Sequence, residues 1–131
     1  MLDWTEPESV LIKRITSMYI DAYQFGNIVI NGTTYTSDCL IVRDAVHDNW
    51  WRKQGHLLAA EDLQPVISAR PAILVVGCGA PGMMKVPPET RQFLQEQNIE
   101  LIAINTQEAV AKFNQLVEEG ANVAAALHLS C

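Results

Sequence analysis

The sequence predicts an α/β fold: a three-layer single domain in which a mixed central sheet is flanked by helices, with an additional N-terminal β element. From residue 72 onward, apolar runs of strand length alternate with helical patterns. Before residue 43 the chain instead has β-branched and aromatic residues around a turn. A chain of 131 residues is long enough to bury one core, so we expect a single domain over residues 1–131. The three C-terminal strands are predicted at residues 72–76, 99–104 and 122–129.

The first third of the chain predicts β structure. Asn31-Gly32 is a dipeptide that tolerates positive φ, and it predicts a hairpin between residues 28–30 and residues 35–42. Residues 11–20 are expected to add another strand or two, after a flexible, acidic N-terminal segment at residues 1–9. Residues 43–56 have no regular pattern and are expected to form a loop.

Two helices are predicted from apolar spacing and from their terminal residues. Leu63, Val66 and Ile67 lie at i, i+3 and i+4 and predict a short first helix. The second helix is expected to begin near Pro88, because proline is tolerated in the first helical turn. Asn98 is expected to end that helix in left-handed geometry.

The third helix has the strongest helical pattern. Thr106 is predicted to be its N-cap, and Phe113 lies on its apolar face. Gly120 is expected to end it. The strand that follows, residues 122–129, is apolar on both faces of the pleat, which predicts a strand covered on both sides.

A glycine-spaced loop, Gly77-Cys78-Gly79-Ala80-Pro81-Gly82, matches the fingerprint of dinucleotide-binding folds. In those folds a helix begins at the loop, so that its free N–H groups face the pyrophosphate. Here four residues and then Pro87-Pro88 separate the loop from the predicted helix. Asn105 also stands where an acidic ribose ligand is expected. The sequence therefore predicts no dinucleotide cradle and indicates no cofactor.

Charge and composition limit the classes of function that this protein can have. The net charge of −6, from 9 basic and 15 acidic residues, argues against nucleic acid as a partner. No run reaches the ~20 apolar residues of a membrane span. The first nine residues have no basic region and no apolar run, so we expect no secretory signal. The three cysteines lack C-x-x-C spacing, which suggests reduced thiols and a cytoplasmic location.

Several segments resemble the domain of unknown function 498 family, whose domain is also called MTH938-like. The most specific are T-x-x-A-V-x-x-[FY]-N-x-L, which begins at Thr106, and the closing His-x-[ST]-Cys, which begins at His128. The resemblance includes residues 74–79 and 51–62 and covers nearly the whole chain. Better-known relatives are a mitochondrial complex I assembly factor and an adipogenesis-associated cytosolic protein.

The resemblance implies a mixed sheet sandwiched between helices with an extra β element, the final strand running antiparallel to the others. It implies little about activity, since the family has no established reaction, and some members look like assembly or regulatory adaptors. The chain departs from the family at Cys78, where relatives typically have Thr or Arg, and at Phe25-Gly26, which is usually Trp-Gly.

Cys78 and His128 are the candidate catalytic residues. Backbone N–H groups near a thiol between two glycines can lower its pKa, and His128 is its candidate base if the last strand lies beside it. The alternative is that Cys78 packs as a small apolar residue. We favour the alternative, because no Asp or Asn is placed to orient His128. No catalytic residue is therefore assigned.

The loop residues are candidate ligand-binding residues. Successive glycine N–H groups can form a nest for a small anion, and Lys85 would add a positive charge. The alternative is that the glycines let the chain turn sharply after the strand. The candidates for the anion site are Gly77, Cys78, Gly79, Gly82 and Lys85.

Two pairs of large apolar residues are candidate interaction residues. Trp50-Trp51 and Met83-Met84 would form an exposed, adaptable patch for a partner, and packing in the core or in a loop is the alternative. His47 and His56 flank the tryptophans at a spacing that matches no common zinc pattern, so no metal site is predicted.

These observations lead to two functional hypotheses. The first is a non-enzymatic adaptor or assembly-type domain that binds another protein or forms a homo-oligomer, because no acid, base and nucleophile converge in the sequence. The second is a small-molecule-binding protein or cysteine-dependent enzyme with a pocket at the Gly77–Gly82 loop, where open α/β sheets usually bind ligands.

Overall fold

The computed structural model describes residues 18–131, and this part of the chain has the predicted α/β architecture. A turn of 3-10 helix at Ala60–Leu63 leads into α1 (Gln64–Ala69), which is followed by α2 (Pro88–Glu96) and α3 (Thr106–Glu118). The strands are β1 (Ile20–Gln24), β2 (Asn27–Ile30), β3 (Thr33–Tyr35), β4 (Cys39–Val42), β5 (Ala45–His47), β6 (Ile73–Cys78), β7 (Glu100–Ile104) and β8 (Val123–His128). The predictions for residues 1–9 and for most of residues 11–20 lie outside the described residues.

The central sheet has five strands in the order β5-β4-β8-β6-β7. β6 is parallel to both β7 and β8, whereas β4 is antiparallel to β8 and to β5. The expectation that the final strand runs antiparallel to the others is therefore wrong. α3 returns the chain to the edge where β6 and β7 begin, so β8 runs parallel to them, and β4 is its antiparallel neighbour.

The domain has three layers, as predicted. α1 and α2 cover one face of the central sheet, with the buried side chains of Val66 and Leu94 in that core. α3 and the three-stranded sheet β1-β2-β3 cover the other face, where Phe113 packs with Ile28. β8 contributes alternate residues to both cores, which explains why it is apolar on both pleat faces.

Asn114 on α3 attaches the N-terminal sheet to the central layer. Its side-chain oxygen accepts the Ile20 N–H at 2.9 Å, and its amide nitrogen donates to the Ile20 carbonyl at 2.8 Å. The side-chain amide of Asn114 therefore bonds to both backbone polar groups of Ile20, as a residue of a neighbouring strand would. Asn114 thus has a structural role, in fixing β1 against α3.

The hairpin predicted at Asn31-Gly32 is confirmed. Both residues have positive φ, 48° and 81°, and they join β2 to β3. The prediction of a single partner strand at residues 35–42 is wrong. This stretch holds the end of β3 and all of β4, which lie in different sheets. The expected loop at residues 43–56 also contains β5, which pairs with β4 after a turn.

The predicted helix ends are confirmed with one correction. α2 begins at Pro88 with Pro87 as its N-cap, and Asn98 follows it in left-handed geometry. The N-cap of α3 is Asn105, whose side chain accepts the Glu108 N–H, and not Thr106. Within residues 18–131, no helix has the length and apolar character needed to cross a membrane.

Candidate functional site

The candidate residues gather where the parallel strands of the central sheet end. The glycine loop leaves β6 at this edge, and His128 is the last residue of β8. The loop at residues 50–58 reaches the same edge, because the Trp50 N–H donates to the Asp38 carbonyl just before β4, which is antiparallel to β8. The topology thus brings together segments that are 27 to 90 residues apart in sequence.

The glycines after β6 allow close packing rather than forming a phosphate cradle. A Cβ at Gly77 would lie 2.8 Å from the Thr106 Oγ1 and 3.1 Å from its Cα. A Cβ at Gly79, which has φ +98°, would lie 2.8 Å from the Ser130 carbonyl oxygen. These two positions let the start of α3 and the C-terminal segment approach the end of β6.

The N–H groups of the glycine loop donate to oxygen atoms of the protein. The Gly79 N–H donates to the Thr106 hydroxyl and the Ala80 N–H to the Ser130 carbonyl, each at 2.8 Å. The Gly82 and Met84 N–H groups donate to carbonyl groups within the loop itself. These groups therefore do not form the anion nest on which the sequence hypothesis depended. Any anion site here depends on side chains.

Cys78 and His128 are neighbours, as the catalytic hypothesis requires, but they do not form an activated pair. They are register partners on β6 and β8. Burial raises the pKa of the Cys78 thiol, and the charges of Arg91 and Lys85 only partly oppose it. The Nδ1 atom of His128 contacts Asp38 at 2.7 Å. This arrangement favours the interpretation of Cys78 as a packing residue.

Asp38 is the residue that sequence reasoning missed. Its Oδ2 accepts hydrogen bonds from His128 Nδ1 at 2.7 Å and from Arg52 Nη2 at 2.9 Å. Its Oδ1 accepts the Leu129 N–H at 2.8 Å. Burial opposes ionisation, but these hydrogen bonds outweigh it and lower the pKa of Asp38. The statement that no Asp is placed to orient His128 is therefore wrong.

The sequence held one signal for Asp38. A polar Ser37-Asp38 pair interrupts the otherwise strand-like residues 35–42, at the place where the chain passes from one sheet to the other. Its distance of 90 residues from His128 hides the contact. Periodicity reports which face a residue occupies and not which distant segment meets it.

Arg52 completes a hydrogen-bonded cluster with Asp38 and His128. The guanidinium lies 4.6 Å from the centre of the Trp50 ring, and the Trp50 Nε1–H donates to the Asp62 carbonyl at 2.8 Å. Arg52 Nε donates to the Gly55 carbonyl, so the cluster also shapes the loop at residues 50–58. We interpret the cluster of Arg52, Asp38 and His128 as a structural link between this loop and the strands β4 and β8.

Two atoms of this cluster have no hydrogen-bond partner among residues 18–131. They are Arg52 Nη1 and His128 Nε2, and both are buried. The ring of His56 lies edge-on to the ring of His128, with centroids 5.7 Å apart. In the described part of the chain, no three His, Cys, Asp or Glu side chains are arranged to hold a metal ion.

The two pairs of candidate interaction residues are each divided between interior and surface. Trp50 packs against the core and Met84 is 1% exposed, whereas Trp51 is 81% exposed and Met83 is 50% exposed. Leu57 is 39% exposed and forms a parallel bridge with Lys85. The loop at residues 50–58 and the segment at residues 83–85 therefore run side by side. We call Trp51, Leu57 and Met83 together the Trp51 surface.

A protein-family model described as "Protein of unknown function (DUF498/DUF598)" matches residues 20–128. Several solved structures have the same fold. A protein from Bordetella parapertussis is 26% identical with a TM-score of 0.77, covering 88% of this chain and 98% of that one. A protein from Rhodopseudomonas palustris is 28% identical with a TM-score of 0.69, covering 83% and 81%.

A third solved structure, that of a protein from Bordetella pertussis, is described as a Mth938-like domain. It is 22% identical with a TM-score of 0.71, and the match covers 98% of this chain and 92% of that chain. Identity at this level supports the fold alone, which agrees with the three layers found here. The chain belongs to the DUF498/DUF598 family and has the Mth938-like α/β fold.

Proposed function

We propose that this protein is a non-enzymatic adaptor that binds another protein through the Trp51 surface. The observation that carries the proposal is the exposure of Trp51, a large aromatic side chain that is 81% accessible on a well-packed domain. Trp and Met are enriched at protein interfaces, and an exposed Trp at the centre of such a surface is a typical binding hot spot.

The Trp51 surface is held on a rigid base, which favours binding. Trp51 lies between Trp50 and Arg52, and both of these neighbours are fixed by hydrogen bonds to the backbone of this edge. On the adjacent segment, Met84 is buried beside the exposed Met83. On both segments an exposed side chain thus stands beside a buried one, Trp51 beside Arg52 and Met83 beside Met84, so a partner would meet side chains whose backbone is already ordered.

The chemistry of the site supports binding more than catalysis. The raised pKa of Cys78 lowers the fraction of reactive thiolate at neutral pH. The side chain of His128 is bound to Asp38 instead of to the thiol. These observations leave the thiol without a base, so the cysteine-dependent reaction gains no support from the geometry.

We assign the partner as a protein segment with apolar and acidic side chains. The apolar side chains would pack on Trp51 and Met83, and a carboxylate would pair with Lys85, the exposed cation two residues after Met83. A cytoplasmic location is part of this proposal and is supported by the free thiols of Cys39, Cys78 and Cys131.

The test compares the variant Trp51→Ala with Phe25→Ala. Phe25 is also exposed, at 64%, but lies in the β1–β2 turn outside the Trp51 surface. Proteins recovered with the tagged chain from its own cells are quantified for wild type and both variants, and the enriched protein is then purified for calorimetry. We expect Trp51→Ala to weaken its affinity at least about tenfold, or ~1.4 kcal/mol, and Phe25→Ala to leave it unchanged.

Two outcomes would contradict this proposal. Recovery of the same proteins in equal amount with both variants would show that the Trp51 surface is not the docking site. A homodimer in light scattering that Trp51→Ala dissociates would instead identify a second copy of the chain as the occupant.

A further inference from the structure

The crevice between β6 and β7 lies at a topological switch point of the sheet. The chain leaves β6 towards α2 on one face, and it leaves the adjacent β7 towards α3 on the other face. Two neighbouring parallel strands whose connections diverge in this way open a crevice at their carboxyl ends, and open α/β sheets bind ligands there.

A pocket of about 250 Å³ occupies this crevice. Cys78 at the end of β6 and Asn105 after β7 line it, together with Lys85 and Arg91. Met84 and Val86 form an apolar part of the pocket wall. None of the residues that line the pocket is acidic. The volume is smaller than that of most pockets for drug-sized molecules, so it fits a small ligand.

The two cations of the pocket have no ionic partner in the described part of the chain. Arg91 is anchored by its Nε, which donates to the Val86 carbonyl at 3.1 Å, and its Nη groups make no hydrogen bond within residues 18–131. Lys85 likewise forms no ion pair there, unlike Lys53, which pairs with Glu61. Both unpaired cations line the same pocket, although the chain has a net charge of −6.

Asn105 adds a neutral donor to the crevice. Its Oδ1 accepts the Glu108 N–H at the start of α3, which fixes the side chain. Its amide nitrogen makes no hydrogen bond in the described residues and can donate to a ligand. Cys78, whose thiol is buried, lines the same pocket as Lys85 and Arg91.

We propose that this crevice binds a small organic anion, with a carboxylate or phosphate group held by Lys85, Arg91 and the Asn105 amide. The apolar part of the ligand lies against Met84 and Val86. Recognition depends on side chains, because the glycine loop uses its N–H groups within the protein. This site shares Lys85 with the contact proposed for the partner beside the Trp51 surface, but its ligand does not require that partner.

The experiment is a nitrogen-15 NMR titration with inorganic phosphate, butyrate and butyramide. Butyramide has the shape of butyrate without its charge. We expect saturable shifts of backbone N–H signals at residues 82–86, 91 and 105 with butyrate or phosphate, and none with butyramide. The double variant Lys85→Gln/Arg91→Gln should weaken binding at least about tenfold, since two charged donors are lost. Its own spectrum reports whether it is folded.

The matched control is Arg70→Gln, at an exposed arginine that follows α1 and precedes β6. It removes a charge from the opposite edge of the sheet and should leave binding unchanged. Binding of phosphate alone or of butyrate alone supports the proposal and identifies the anionic group. Non-saturable shifts spread over all surface cations, equal binding in the double variant, or no shift with either anion would overturn it.

Discussion

The carboxyl edge of the central sheet has two sides that use positive charge differently. On the β8 side, Arg52 is buried and paired with Asp38 at 2.9 Å. On the β7 side, Lys85 and Arg91 are exposed and have no acidic partner within residues 18–131. The same end of the fold therefore holds one charge cluster that is used for structure and another that is free for a ligand.

The difference follows from which segment covers each side. The loop at residues 50–58 crosses the end of β8. Within it, the Arg52 guanidinium packs on the Trp50 ring and donates a hydrogen bond to Asp38. No described segment covers the β6–β7 crevice in this way, because α2 and α3 diverge from it. Burial makes the loss of either partner of the Arg52–Asp38 pair costly on one side, and solvent exposure leaves the charges of Lys85 and Arg91 open to a ligand on the other.

The largest expected effect is that of Asp38→Asn on the β8 side. It leaves the buried Arg52 charge without a counter-ion, and we expect it to lower the free energy of unfolding by about 3–5 kcal/mol. Urea denaturation measures this change. The double variant Lys85→Gln/Arg91→Gln on the β7 side should change stability by less than about 0.5 kcal/mol. Equal losses of unfolding free energy in Asp38→Asn and in the double variant would contradict the distinction between a structural charge cluster and an open one.

A smaller effect is expected for Gly77→Ala, which tests the close packing below the loop. The added Cβ would meet backbone and hydroxyl atoms of Thr106 at 3.1 and 2.8 Å, so we expect a loss of about 1–3 kcal/mol. Gly55→Ala is the matched control, since a Cβ there has no neighbour within 4 Å. Thermal unfolding of both variants checks the prediction, and equal melting temperatures would contradict it.

The smallest effect is a dependence of stability on acid pH. The pKa of Asp38 is lower in the folded state than its ordinary value of 3.8, so its ionised form stabilises the fold. This contribution is fully present above the ordinary value and is lost as pH falls through the folded-state pKa. The difference in unfolding free energy between wild type and Asp38→Asn should therefore narrow below pH ~4. Parallel pH profiles for the two proteins would show that Asp38 does not titrate as described.

Most of the fold was predictable because it depends on local pattern. Pro87-Pro88 sets where α2 begins, and Asn31-Gly32 sets the first hairpin. The direction of β8 was predicted wrongly, since it depends on where the α3 crossover returns the chain. The division of residues 35–42 into two strands was also missed, because both halves have the composition of a strand.

The candidate site was predictable in its location but not in its chemistry. The glycine loop, His128 and the Trp pair do meet at one edge. The sequence cannot show that Gly79 uses its N–H on Thr106, or that Asp38 holds His128. It also cannot show which member of Trp50-Trp51 points outward. Each of these facts is a contact between residues far apart in the chain.

The order of residues by itself determined the layers, the first hairpin and the start of α2 at Pro88. These features follow from short-range backbone sterics and from the period of apolar residues, which act within a few positions. Only the tertiary structure decided which charges are paired and which are open to solvent. How strongly a charged group interacts depends on burial and on the neighbours that the fold brings together. Arg52 is buried against Asp38, whereas Arg91 is exposed and has no acidic partner among the described residues.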